Sequence, residues 1–478
     1  MKKIILALTV SFFAVNAYSQ NSTQNGYEEW KFSQNEYTSF DIGKYTTPDI
    51  VRNQLDINFD FGSYNSRTDY SYLDRDSKNE NSNFIGNISS SFSHYVNTRK
   101  KISNLTGNLS FRENYYSYKN EQTFKDNNST SVNNESILSQ QNSLNMNWSN
   151  KWYFSNLTYM DYGINSNIYY NFRQDKTKNQ SQDSNEKQKD FSLNIYPQIG
   201  VGYGRIESVR DARQAVYIAN ALSKTKVLSR NLSDDELFEL SQKISTVKNK
   251  RFLDSRLHLI DEISTVDSFF VNNNLLIDNG AAYFTTLYDM WRYGDSFSRS
   301  SGYEISFVAR PYYGYQNIKY TPEIRDVIYN SNRHIISLNF SYEKPFKLNW
   351  QHSLAAEVSG GIDSASEQNK ERDNNYKNRT KAKTLYAFAN YSLGYYPNTR
   401  TNIQVTASQQ ISKNIYKDEG NSMNSNTMFS ANLYYYFSPN LRLTGYYMLQ
   451  YRHIKENDGY YYNSFSSQFN IQLNYSIF

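Results

Sequence analysis

The chain has 478 residues and no cysteine, which leaves room for two or three soluble domains but for neither a disulfide framework nor an acylated lipoprotein anchor. A net charge of +5, falling to +3 when Lys2 and Lys3 leave with a leader, is too small to argue for a nucleic-acid partner. Mean hydropathy is −0.78, yet 45 Tyr and 28 Phe are more aromatic surface than a disordered chain carries.

The chain opens with Lys2 and Lys3, an apolar run over Ile4–Val15, and Ala17-Tyr18-Ser19. That is the layout of a secretory signal peptide, residues 1–19, cut after Ser19. The apolar run is shorter than the ~20 residues of a membrane-spanning helix, which weighs against a signal anchor. Residues 20–50 are polar and without period; they read as a loosely ordered periplasmic lead-in.

From Val51 the pattern changes to strict alternation. Leu55, Ile57, Phe59 and Phe61 share one face, against Arg52, Gln54, Asp56, Asn58 and Asp60 on the other. The same rhythm returns at Leu105–Phe111, Leu144–Trp148, Met160–Tyr170, Phe191–Val201, Tyr303–Ala309, Ile336–Phe340, Phe429–Phe437 and Leu441–Leu449. Connections are of two kinds. Short turns are expected near Asn97–Ser103, Phe154–Asn156, Glu343–Asn349, Tyr396–Arg400 and Ser438–Asn440. Long polar loops are expected at Arg67–Asn83, Asn120–Gln140, Gln174–Asp190, Ile318–Arg333, Asp363–Lys383, Lys413–Thr427 and Lys455–Tyr461. Trp148, Trp152 and Trp350 lie beside short turns, where an interfacial girdle belongs. Alternation, girdles and two loop classes together predict an all-β membrane fold: an antiparallel up-and-down transmembrane β-barrel of about fourteen strands, twelve to sixteen being compatible with the pattern.

The signal, the strand rhythm and the terminal run Phe469-Asn470-Ile471-Gln472-Leu473-Asn474-Tyr475-Ser476-Ile477-Phe478 resemble those of Gram-negative outer-membrane β-barrel proteins over nearly all of the mature length. The resemblance implies residence in the cell outer membrane, contact with outer-membrane lipid, and a terminal aromatic read by the barrel assembly machinery. Phe478 departs by one residue from the apolar phase of Phe469, Ile471, Leu473, Tyr475 and Ile477.

Residues 207–300 break the rhythm, dividing the barrel into 51–206 and 301–478. Ala215, Ile218, Ala219 and Leu222 follow helical spacing, and Ser233-Asp234-Asp235-Glu236 has the form of a capping box ahead of Leu237, Leu240, Ile244 and Val247. A third stripe runs through Phe252, Leu259, Ile263, Val266 and Phe270. Six strands precede this helical insert, so strand parity puts it on the periplasmic side. Arg205 follows Gly202-x-Gly204, a fragment of a nucleotide fingerprint without its third glycine. Arg205 and the pairs Asp211/Arg213 and Asp254/Arg256 suit either a periplasmic protein or cell-wall partner, or internal salt bridges; Trp291 suits either a docking anchor or helix packing.

Chemistry is sparse. His94, His334, His352 and His453 share parity with apolar neighbours and so face outward, and His258 lies in the insert. No zinc or calcium spacing is present, so no metal, cofactor or catalytic residue is expected, and His352 beside Ser353 is the one weak pointer to a lipid hydrolase. The remaining functional surface is the polar face: Arg52, Asp56, Asp60, Arg112, Asp161, Glu304, Arg310 and Arg442 as candidate lumen-lining charges. Two readings stay open, a porin-like channel for small solutes and an anchor whose insert holds a periplasmic assembly.

Overall fold

The computed structural model describes residue 37 and residues 39–126, 128–179, 183–249, 259–294, 297–322, 325–371, 375–416, 420–438, 441–456 and 459–475. Among these are fourteen strands: β1 (Ile50–Ser71), β2 (Arg75–Asn97), β3 (Lys101–Phe124), β4 (Thr130–Tyr153), β5 (Thr158–Lys178), β6 (Asp183–Ser208), β7 (Ser300–Thr321), β8 (Arg325–Phe346), β9 (Trp350–Lys370), β10 (Asn375–Tyr395), β11 (Thr401–Tyr416), β12 (Asn421–Ser438), β13 (Leu441–Glu456) and β14 (Tyr461–Tyr475). Four helices lie between β6 and β7: α1 (Arg210–Lys224), α2 (Asp234–Asn249), α3 (Leu259–Asn272) and α4 (Ala281–Tyr293). The expected signal peptide, Phe252, Asp254, Arg256, His258 and Phe478 lie outside the described residues.

All fourteen strands join one sheet in chain order, each antiparallel to its neighbours. This is the architecture of an antiparallel up-and-down β-barrel with a small helical insert, as the alternation predicts. No ladder joins β1 to β14 among the described residues, and both strands expose nearly every side chain. The register keeps the apolar phase continuous from strand to strand. One row runs Met160–Val201–Phe307–Leu338–Val358–Ala387–Ile411. Val201, Phe307, Leu338 and Val358 in that row are each about half exposed or more, so nothing of the protein covers this face. At its short-turn margin stand aromatic pairs such as Trp350–Tyr395 (4.4 Å between centroids) and Tyr435–Phe437 (4.6 Å).

The segments expected as long loops are mostly strand. β1 and β2 pair without interruption up to Ser71 and Asp76, and the other long hairpins behave likewise. Twenty-two residues at ~3.3 Å each give β1 about 70 Å of length, far more than the ~25 Å apolar band of a membrane barrel, even after tilting. Beyond that band both faces are wet, so the alternation that reveals a strand in sequence disappears while the backbone ladder continues. β11 to β14, of 15 to 18 residues, stop sooner.

The insert has its own core. Ala215, Ile218, Ala219 and Leu222 of α1 meet Leu237, Leu240 and Ile244 of α2, Val266, Phe269 and Phe270 of α3, and Leu287 of α4, all fully buried. The fourth helix is additional to the three expected. The capping box forms both of its bonds: Ser233 Oγ accepts from the Glu236 amide (3.3 Å), and Glu236 Oε2 accepts from the Ser233 amide (2.8 Å). Arg230 donates to both Glu236 oxygens (2.8 and 2.7 Å), and with the Ser233 bonds it lowers the Glu236 carboxyl to about 2. A lowered carboxyl stabilises the folded state fully above its unfolded value of 4.5, and that contribution disappears as pH falls through about 2. Glu236→Gln should therefore destabilise the helices by about 1 kcal/mol at neutral pH and by nothing in strong acid, a difference readable in circular-dichroism melts.

The lead-in also departs from expectation. Tyr37, Phe40, Ile42 and Tyr45 are buried in the insert's core, and Ile42–Lys44 make a 3₁₀ turn. Their spacing matches neither helix nor strand, because each side chain is an anchor on irregular backbone.

Candidate functional site

Every candidate lumen charge falls on the face opposite the apolar belt, and most of those with side-chain contacts are met by polar groups on the same face. Asp60 accepts from Asn87 (3.1 Å), Asp56 from Gln54 (2.8 Å), and Asp161 from Gln198 (2.9 Å). Glu304 pairs with Lys151 (2.5 Å), whose ammonium also sits 5.1 Å from the Tyr159 ring. Arg310 pairs with Glu357 (3.3 Å). Arg112 lines a cavity of about 330 Å³ with Asn87, Ser110, Gln141 and Tyr169. Arg52 and Arg442 take their places by register, opposite Tyr95 and Tyr436.

A cavity of about 500 Å³ on this face lies over β7 to β11. It is floored by the Arg310–Glu357 pair and by a second pair, Arg333–Asp363, with Thr384 donating to Asp363 (2.6 Å). Ser331, Ser359, Thr380, Tyr386 and Tyr416 add hydroxyls to the wall. Arg333, Glu357 and Asp363 escaped the sequence reading: Arg333 and Asp363 bound segments expected to be loops. Their signal was parity, since Arg333 pairs in register with Asp363 and Asn339 with Glu357 on the polar phase.

At the short-turn end this face is crossed by residues 39–49, here called the strap. Beginning beside β1, the strap puts Thr47 between two anchors: its amide donates to Glu207 Oε2 (3.0 Å) and its hydroxyl accepts from Asn97 (3.1 Å). Tyr45 bonds Ser245 of α2 (2.8 Å), Phe40 packs on Phe238 (4.8 Å), and the Gly43 carbonyl accepts from Ser301 of β7 (3.1 Å). β1 and β7 are six strands apart in an order of fourteen, so a segment touching both spans the end of the sheet. Burial pushes the Tyr45 hydroxyl well above its ordinary range, keeping it neutral.

Glu207 fastens this end. Besides Thr47 it holds Arg99 (2.8 Å) and Arg205 (2.8 Å), with the Arg205 and Glu207 side chains about nine-tenths buried. Arg205 also donates to Asn97 Oδ1 (2.6 Å) and the Thr98 carbonyl (3.0 Å), and lies over the Tyr153 ring (4.9 Å).

Asp254 and Arg256 lie outside the described residues; the other four candidate docking residues are engaged within the protein. Arg205 serves the fastening just described. Asp211 takes Lys248 (2.9 Å) and Ser245, tying α1 to α2. Arg213 is fully buried and donates to the Phe297 carbonyl (2.6 Å), while Trp291 is 5% exposed and donates to Glu262 (3.0 Å). Arg205 fastens the end of β6, and Asp211, Arg213 and Trp291 tie the insert together; aromatic and charged anchors look alike in sequence whether they point in or out. Arg299, missed in sequence, joins the insert's exit to the β8–β9 turn through the Leu348 and Trp350 carbonyls and Gln351. Burial and the neighbouring Arg213 charge lower it to about 10, so it stays charged at neutral pH.

His352 lies on the apolar face with Nδ1 2.7 Å from the Tyr391 hydroxyl, whereas Ser353 donates to Glu343 on the other face (2.6 Å). The two side chains do not meet.

No protein-family model matches the chain, and no curated protein does. Among solved structures, the transport unit of the autotransporter AIDA-I from Escherichia coli aligns over 93% of this chain and 95% of its own, at 10% identity and a TM-score of 0.15. A likeness that low carries no argument about either fold or function.

Proposed function

We propose that the chain is an outer-membrane β-barrel whose polar face forms a path or holding site for small hydrophilic solutes, closed at the periplasmic mouth by the strap and the insert. The observation that carries this reading is the pairing of one uncovered apolar face with one charged face that holds a cavity of about 500 Å³. A lipid-facing belt explains why Phe307 and Leu338 stand about half exposed, and the polar face needs water or solute against it. Residence in the outer membrane, with a leader removed on export, belongs to the same reading, as does the absence of catalysis.

The assignment of faces makes a sharp expectation. Leu338→Lys should cost about 2–4 kcal/mol in lipid, while Asn339→Lys, one residue along and on the opposite face, should cost little; denaturant unfolding from bilayers compares them. Heat-modifiable migration on a denaturing gel checks that the barrel is folded, and planar-bilayer recording checks the path. Small or infrequent openings are expected from the intact chain and larger ones after deletion of Val209–Tyr293. A folded barrel silent in both forms at every potential would end the channel reading. The alternative, an anchor for a periplasmic assembly, draws on Ile260, Ile277 and Phe284 of the insert, which are each more than half exposed. It gains if that deletion removes a co-purifying protein and leaves conductance unchanged.

A further inference from the structure

From the cavity over β7 to β11 we infer that the solute is neutral and hydroxyl-rich, of the saccharide class, because each charge in the floor is already answered by its opposite within the same wall. This deepens the proposed solute site and rests on the polar face being that site.

Arg333 of β8 meets Asp363 of β9, and Arg310 of β7 reaches past β8 to Glu357 of β9, so each positive group is matched by a negative one within the same wall rather than facing it across open space. Field lines then close within the wall, and little potential reaches the cavity to concentrate either sign of ion. An anionic solute would have to take an arginine from its carboxylate, and a cationic one the reverse. A hydroxyl group asks for neither. It can donate to a carboxylate oxygen or accept from a guanidinium N–H that still has capacity, leaving both pairs intact. The rest of the wall fits such a ligand. Ser331, Ser359 and Thr380 supply further donors and acceptors, and the rings of Tyr386 and Tyr416 supply apolar area against which a sugar face can lie. A volume of about 500 Å³ is within the range of small-molecule sites.

Saturation-transfer NMR on the folded full-length protein in detergent tests the inference without depending on conduction. The probes are sucrose, succinate and putrescine, each alone and then in competition. Sucrose should receive transfer and the two ions much less. Asp363→Asn releases Arg333 and should raise the succinate signal; Arg333→Gln releases Asp363 and should raise putrescine. Both variants are to show wild-type heat-modifiable migration, and Thr380→Val, which keeps both ion pairs, should weaken sucrose without admitting either ion. Strong transfer to succinate or putrescine in the wild type, or none to sucrose, overturns the inference. Bilayer silence with sucrose binding intact removes only the channel reading, and conduction without sucrose binding removes only the saccharide class.

Discussion

Gly204→Ala should lower the stability of the folded barrel by about 2–4 kcal/mol, a loss large enough to deplete the heat-modifiable band in cells as well as to shift unfolding in denaturant. Gly204 has φ of +109°, and a Cβ there would strike the Tyr303 carbonyl of the neighbouring strand. On the facing strand Gly302 (φ +129°), which pairs with Ile206, would strike the Arg205 carbonyl. Both collisions are with main chain, which cannot rotate aside as a side chain can. The two glycines sit where β6 ends and β7 begins, so they set the path by which the chain leaves the sheet for α1 and returns to it. Gly62, on exposed β1 with open space around its missing Cβ, is the control: Gly62→Ala should be close to silent in the same assay.

The second large effect is expected at Glu207. Glu207→Ala removes the acceptor shared by Arg99, Arg205 and the Thr47 amide, leaving Arg205 buried without its carboxylate. Breaking a buried pair from one side costs about 3–5 kcal/mol, because the remaining charge keeps its desolvation penalty. The loss should be local to the mouth: proteolysis within residues 39–49 should rise, while the sheet's heat-modifiable migration persists at moderate temperature. Glu207→Gln can still accept from Thr47 and should give an intermediate result. Equal protease resistance in all three proteins would mean that Glu207 does not hold the strap.

Much of the fold was legible because a membrane sheet writes itself into sequence as alternation, and the Leu55–Phe61 phase runs across into Phe84–Phe92 and onward by register. The helices were legible through their stripes; even α4, left unassigned, carries Tyr283, Leu287 and Trp291 at helical spacing. The hairpin ends were not legible. Lys78, Asn79 and Glu80 are paired strand residues with solvent on both sides, so no pattern separates them from a loop. The strap was illegible for another reason. Tyr37, Phe40, Ile42 and Tyr45 become meaningful only beside Phe238, Ser245 and Ser301, some two hundred residues away. Glu207, a lone acid at a strand end, gives no sign in sequence of its three partners.

The strap lies near the start of the described chain, yet several of its anchors lie far downstream. Tyr45 waits for Ser245, and Gly43 waits for Ser301, 258 positions downstream. Loop-closure entropy sets such distant contacts apart from the hairpins, whose partners are neighbours in sequence. Seating the strap therefore requires the insert's helices to be folded, since Tyr45 bonds Ser245 and Phe40 packs on Phe238, so the mouth is held only when both the sheet and the helical unit are in place.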